Sequence, residues 1–334
     1  MIHPLRRIRM EACVCEEGFV SFVVIAYNEA ANIAATIAAI TALDGLGKHE
    51  VIVIDDGSCD GTAGVVTAIA ERDPDVRLIR LPENRGRGHA RHTGIAEARG
   101  DLVATVDADI LLPRDWLVRA QLALREHHAV GGTAVPDGDV AYLYRRFALT
   151  PRVRAHTTTV AGSNGLYRSE VFASVRFDPA LREGEDVALN HAIERRGLSC
   201  ATVPDLIVEH REHKTWGESL RWMFDSGRGA TRQLLTYRQI RQPDVATGIF
   251  TAAAVIGVAA AAGKRPAAGA LIPATVVLAA SAQHVRSRFR TPVPDLPRVI
   301  PAIAADSALL AAYFAGRLAG LAVLRQRHGL RRCG

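Results

Sequence analysis

Between Phe19 and about Val135 the chain alternates short β-branched, apolar runs with longer segments whose apolar residues recur at helical spacing. "FVSFVVIAY", "EVIVI", "VRLIRL" and "LVATV" are the strand-like runs, separated by helix-like "NEAANIAATIAAITAL", "GTAGVVTAIAERD" and "RGHARHTGIAEARG". Strands joined through helices pair in parallel, by right-handed crossovers, with helices covering the sheet faces. The expectation is an α/β fold on a mostly parallel sheet. Such sheets bind ligands off the carboxyl ends of their strands. Here each strand run is followed by a polar cluster: "YNE", then "DDGS", "ENRGRG" and "DAD". One cluster would pass for a solvated turn. Four on one rim define a site.

The acids of "VIVIDDGSCDGT" first invite a calcium-loop reading. With Asp56 at position one, Ser58, Asp60 and Gly61 fit positions three, five and six, but position twelve is Thr67, which supplies no bidentate carboxylate. The run before Asp55 is also a strand pattern where an EF-hand needs a helix. These acids belong to the rim.

In "VDADILLP", Asp107 and Asp109 alternate at a strand end, so both can approach one site with Ala108 turned away. Two carboxylates make a poor all-protein calcium cage. They suit Mg2+ or Mn2+ if a substrate diphosphate completes the coordination. "ENRGRGHARHTG" brings Arg85, Arg87 and Arg91 beside glycines and a helix start, a setting for phosphate oxygens. It is neither a P-loop nor a full G-x-G-x-x-G, which argues against an ATPase and a dinucleotide dehydrogenase.

Lys+Arg exceed Asp+Glu by 41 to 35, which favours an anionic partner. Aromatic content is only 5%, with few aromatics among the basic clusters, so nucleic acid is not expected. The five scattered cysteines suit a reducing compartment rather than a disulfide framework. Residues 1–18 are basic, lack the apolar core of a secretory signal, and read as an extension.

After Asp244 the composition changes. Val245 to Gly263 is 19 residues without a charge, Pro266 to Gln283 is 18 more, and Val299 to Leu324 is interrupted only by Asp306 and Arg317. Spans of roughly 20 apolar residues cross a bilayer. The expectation is therefore a C-terminal membrane region, 244–334, with two or three transmembrane helices. It places a multi-pass protein at the cell membrane, its 19–243 catalytic domain facing the cytoplasm. The arginines after the second run agree with the positive-inside rule; those after the third do not, so only the first two are expected to span.

Six segments, "VVIAYNEAANI", "DDGSCDGT", "NRGRGHARHTG", "VDADILLP", "GSNGLYRSEVF" and "EGEDVALNHAIERRG", resemble in content and order the family 2 glycosyltransferases of the GT-A fold. The resemblance covers about residues 20–215. It implies inverting transfer of a sugar from a nucleotide-diphosphate sugar, with Mg2+ or Mn2+. By that resemblance Ala26, Tyr27, Glu29, Asp55 and Asp56 line the nucleoside pocket, and Asp107 and Asp109 stand for the DxD pair, Asp109 the direct metal ligand. Asp186 matches the catalytic base, with Glu185 its neighbour, and Arg85 and Arg91 are the donor-binding arginines. Ser163 and Asn164 are candidate acceptor contacts, and His210 a candidate further metal ligand. "ESLRW" stands where processive synthases carry Q-x-x-R-W, which makes Arg221 and Trp222 candidate acceptor residues although Glu218 replaces the glutamine. The implied acceptor is lipid-linked or otherwise presented at the membrane, with membrane lipids as partners. A processive polysaccharide synthase and a non-catalytic nucleotide-sugar-binding protein are the alternatives.

Overall fold

A computed structural model describes residues 18–136, 150–151, 159–211, 215–237, 242–263, 266–290 and 296–329. The elements in chain order are β1 (Val20–Ala26), α1 (Ile33–Thr41), β2 (His49–Asp55), α2 (Thr62–Ala70), β3 (Val76–Arg80), α3 (Arg87–Glu97), β4 (Leu102–Asp107), β5 (Ile110–Leu111), α4 (Trp116–Leu124) and β6 (Ala129–Pro136). Then follow β7 (Thr150–Pro151), β8 (Asn164–Arg168), α5 (Val171–Ser174), α6 (Glu185–Arg195), β9 (Cys200–His210), α7 (Trp216–Tyr237), α8 (Gln242–Ala262), α9 (Pro266–Arg288), β10 (Phe289–Arg290) and α10 (Leu296–Gly329).

The main sheet runs β3-β2-β1-β4-β8-β6-β9-β5. Its first four strands are mutually parallel, as the alternation requires. Beyond β4 the sheet is mixed, because β8 lies antiparallel to β4 and β6, and β5 antiparallel to β9. β1 is buried along its whole length. Its Val20, Phe22, Val24 and Ala26 share one core layer with Val51 and Val53. Val23 and Ile25 join Ile52 and Ile54 on the other face, beneath α3. Period-two alternation in a strand covered on both sides thus feeds two cores at once. α3 can approach so closely because Gly94 has no side chain: a Cβ there would collide with Val23.

At the amino-terminal sheet edge lies a buried polar knot. The Ser21 hydroxyl donates to Glu50 Oε1 (2.7 Å), the Arg99 N–H donates to the same oxygen (3.0 Å), and Arg77 Nε reaches Oε2 (3.2 Å). Burial works against the charged carboxylate, but these donors together with the Arg77 charge outweigh it and lower the Glu50 pKa.

The three C-terminal apolar runs do form helices, α8, α9 and α10. The expectation that two or three of them span a membrane is not met: among the described residues no helix is long and apolar enough to cross one. α9 carries Pro273 inside it, and α10 buries Asp306 and Arg317. α10 instead packs along α7. The backbones meet at Gly227, Gly316 and Gly320, where added Cβ atoms would strike Tyr313, Phe224 and Thr231. The Thr231 hydroxyl donates to the Arg317 carbonyl (2.8 Å). The division expected at 243/244 therefore falls between α7 and its packing partner. Residues 1–17, Lys264, Arg265 and Cys333 lie outside the described residues.

Candidate active site

Strand register aligns the rim. Ala26 pairs with Asp55, Ile25 with Asp107, and Asp55 with Arg80, so four strands end level with one another. The carboxyl end of β9 joins them, with His210 opposite Ile110. Over this edge opens a cleft of about 390 Å3, lined by Ala26, Tyr27, Glu29, Asp56, Asn84, Gly86, Arg87, Asp107, Asp109, Arg182, Glu183, His210 and Trp222 among others.

The acids of the second rim cluster divide their work. Asp55 is fully buried, accepting the Ser58 N–H (2.9 Å) and facing Arg80 (3.4 Å), and does not reach the cleft. Asp56 accepts the N–H groups of Arg85 (2.9 Å) and Gly86 (2.8 Å), so its carboxylate sets the arginine-bearing loop against the cleft. Asp60 accepts from Thr62 N–H (3.0 Å) and Ala30 N–H (3.1 Å), tying the α2 start to the "YNE" loop. The Asn28 N–H completes the stitch by donating to Ser58 (2.8 Å). Asn28 has φ 56°, a left-handed conformation that asparagine tolerates better than most residues.

Of the arginines, sequence reasoning chose Arg85 and Arg91 for the donor. The structure puts neither side chain in the cleft. Arg85 contributes its backbone and is otherwise exposed. Arg91 lies 1% exposed beneath the floor, paired with both Asp107 and Glu185. Burial opposes its charge, but Asp107, Glu185 and Asp186 together raise its pKa above the ordinary arginine value. The cleft arginines are Arg87, first residue of α3, and Arg182. They converge because Gly86, at φ 93°, lets the chain pass against Arg182: a Cβ on Gly86 would sit 2.7 Å from the Arg182 Cα. Arg182 is steadied by the Asn84 carbonyl (3.0 Å). Arg87 was visible in the motif. Arg182, about ninety positions further on, carried no sequence signal.

Asp109 and His210 meet in the cleft, Oδ2 to Nε2 at 2.9 Å. Asp107 lines it too, with one oxygen committed to Arg91. Among the described residues no cluster of three or more His, Cys, Asp or Glu side chains could hold a metal by protein ligands alone. One carboxylate oxygen and one imidazole nitrogen, open to a cleft with two arginines, fit a divalent ion whose remaining ligands come from a diphosphate.

Glu185 and Asp186 open α6 behind Gly184, which has φ 70°. Glu185 is 2% exposed and serves the Arg91 cluster, not the cleft; burial pushes its pKa up while Arg91 opposes. Asp186 flanks the cleft rather than lining it. Its carboxylate accepts the Val187 N–H (2.8 Å) and, at a long 3.5 Å, the Gly162 N–H. Asn164 is fully buried and its side-chain carbonyl takes the Gly132 N–H (2.6 Å), so it joins β6 to β8 and cannot meet an acceptor. Ser163 holds β4 through its carbonyl, which accepts from Asp107 N–H (3.2 Å). Trp222 reaches the cleft from α7, whereas Arg221 is exposed outside it. Glu218 has a local duty: it accepts the Thr215 N–H (2.8 Å) and hydroxyl (2.8 Å), a capping box that starts α7.

Parallel strands with a level acidic rim, a DxD strand end and convergent arginines define a GT-A-like α/β fold. Residues 21–180, a little under half of the chain, match the family model "Glycosyl transferase family 2". It is 38% identical over 207 residues to the succinoglycan biosynthesis protein ExoO of Rhizobium meliloti, covering 55% of this chain and 58% of that one. It is 42% identical over 118 residues to the undecaprenyl-phosphate 4-deoxy-4-formamido-L-arabinose transferase of Shewanella sediminis, covering 34% and 36%. The chain thus spans less than two thirds of the length of these curated relatives. Among solved structures it resembles the mannosyltransferase PcManGT from Pyrobaculum calidifontis in complex with GDP-Man and Mn2+, at TM-score 0.58 and 23% identity over 91% of this chain and 87% of that one. At that identity the likeness is one of fold.

Proposed function

We propose that the chain transfers a sugar from a nucleotide-diphosphate sugar, with inversion, to an acceptor presented at a membrane, and that residues 19–243 hold the donor and catalytic groups. The observation that carries this reading is the Asp109–His210 pair standing in one cleft with Arg87 and Arg182. Tyr27 and Glu29 take the nucleoside, with Asp56 holding the loop behind it. Arg87 and Arg182 take the diphosphate oxygens. Asp109 and His210 would hold a divalent ion, which when bound neutralises charge on the departing diphosphate. The imidazole favours Mn2+ over Mg2+.

The acceptor hydroxyl forms a new bond to the anomeric carbon as the bond to the diphosphate breaks, and its proton passes to Asp186. The Val187 and Gly162 N–H groups aim that carboxylate. The Arg91–Glu185 pair beneath it anchors the first turn of α6, so Glu185 is a positioning residue.

The membrane reading rests on α8 and α9. They pack on each other and meet the rest of the molecule mainly through α10. Val255 (63% exposed), Val258 (71%) and Leu271 (64%) stand open along them. Exposed apolar side chains along two packed helices offer a surface for lipid or for an acceptor presented at a membrane. The relative that acts on an undecaprenyl-phosphate substrate supports the same acceptor class.

The test is nucleotide release by the purified chain with UDP-glucose, UDP-N-acetylglucosamine and GDP-mannose, with Mn2+ or Mg2+ and added membranes. Release that needs both metal and membranes is expected. Binding of nucleotide sugars without turnover under any of these conditions would favour a non-catalytic binding protein.

A further inference from the structure

One carboxylate in the cleft is unaccounted for by donor, metal or base. Glu183 lines it, half-buried, between Arg182 and the Gly184 turn. Among the described residues its carboxylate has no hydrogen-bond or ion-pair partner. Its neighbours act at longer range: Arg87, Arg182 and Arg228 favour its charged form, while burial, foremost, and then Asp225 oppose it and prevail, raising its pKa. A partly desolvated carboxylate open to a cleft can exchange its water for hydrogen-bond donors on whatever occupies that cleft.

The opposite feature is Trp222, 41% exposed and lining the same cleft. Both groups are fixed to one support. Trp222 projects from α7, and the Glu183 loop is clamped to that helix by Gln233, whose Nε2 donates to the Gly184 carbonyl (3.2 Å). The carboxylate lies against α7 at Gly229, where even an added Cβ would make only ordinary contact with Glu183 Oε2 (3.4 Å). The result is a flat aromatic surface and an acceptor-only carboxylate held in fixed relation. A pyranose ring presents the complementary pair: an apolar C–H face and a rim of hydroxyl donors.

We propose that Glu183 reads the hydroxyl groups of a pyranose ring seated against Trp222, making it a specificity-determining residue of this site. The proposal rests on the donor reading given above. The ring belongs either to the donor sugar or to a glycosidic acceptor, and the same carboxylate chemistry serves both.

The experiment compares Glu183→Gln with wild type in three arms, using whichever of UDP-glucose, UDP-N-acetylglucosamine or GDP-mannose the wild type binds. The first arm is the Kd for the free nucleoside diphosphate. The second is the Kd for the nucleotide sugar. The third is the KM for methyl glucoside and methyl mannoside acceptors, with farnesyl phosphate as an acceptor lacking a ring. An unchanged first arm with a loss of about tenfold or more in the second or in the glycoside arm is expected, the size of one charge-assisted hydrogen bond. The arm that moves identifies the ring, and Glu183→Asp should recover part of the loss. Three results would overturn the proposal: no change in either sugar-bearing arm, an equal loss for the free diphosphate, or a collapse of kcat alone. A wild type that binds no nucleotide sugar would instead remove the donor reading, and this inference with it.

Discussion

Replacing Arg91 with methionine isolates the charge at the centre of the molecule. Methionine keeps much of the length and apolar stem but removes the guanidinium that holds Asp107 and Glu185. The Arg91 and Glu185 side chains are 2% and 3% exposed, so water cannot take over as partner. Breaking a buried pair by deleting one member costs about 3–5 kcal/mol, because an uncompensated charge remains. Asp107 is 20% exposed and recovers some solvation, which puts the expectation toward the lower half of that range.

The loss should also depend on pH. Burial already raises the Glu185 pKa, and without Arg91 the largest influence opposing it is gone, leaving only the weaker ones of Arg87 and a backbone hydrogen bond. A carboxyl whose folded pKa exceeds its unfolded one contributes stability fully present below the unfolded value and lost as pH rises through the folded value. The variant's deficit should therefore be largest at neutral pH and shrink toward the ordinary carboxylate range. Urea unfolding of the full chain, followed by circular dichroism at several pH values, measures both. A loss under about 1 kcal/mol at neutral pH would refute the argument. So would a deficit that does not vary with pH.

Three further outcomes follow from the same geometry. Asp109→Asn should abolish metal-dependent nucleotide release while leaving the unfolding midpoint near wild type, and near-normal turnover would remove Asp109 from the metal site. Asp186→Asn should lower kcat by about a hundredfold or more with little change in donor Kd, as measured by single-turnover kinetics; donor binding lost with chemistry intact would move Asp186 into the donor pocket. Ser21→Ala should destabilise the fold by about 1.5–3 kcal/mol near neutral pH, the worth of a hydrogen bond to a charged group. Because the Glu50 pKa is lowered by folding, its contribution is present above the ordinary carboxylate value and lost as pH falls through the folded value, so the Ser21→Ala deficit should fade on acidification.

Much of the first half of the fold was legible along the chain because its determinants are local. Alternating β-branched runs such as "EVIVI" bury on both faces only as covered strands, and the helix patterns between them force parallel pairing. The rim was legible for the same reason: each polar cluster directly follows its strand, so level strands bring Ala26, Asp56 and Asp107 together. What the sequence could not decide was how each polar side chain is spent. Arg85 and Arg91 look equivalent in "NRGRGHAR", yet one is exposed and the other is buried beside Glu185, which lies 94 positions away. Asn164 looked like a sugar contact until its carbonyl met Gly132. Arg182 and Glu183 enter the cleft only because a loop from the far half of the chain closes on Gly86 and α7. The C-terminal runs show the same divide from the apolar side. Composition announces helices that must cover a surface, but hydrophobicity is not directional. Only packing decided that α10 lies along α7, with glycines at the crossing, while α8 and α9 leave Val245, Val255, Val258, Leu271 and Leu278 exposed.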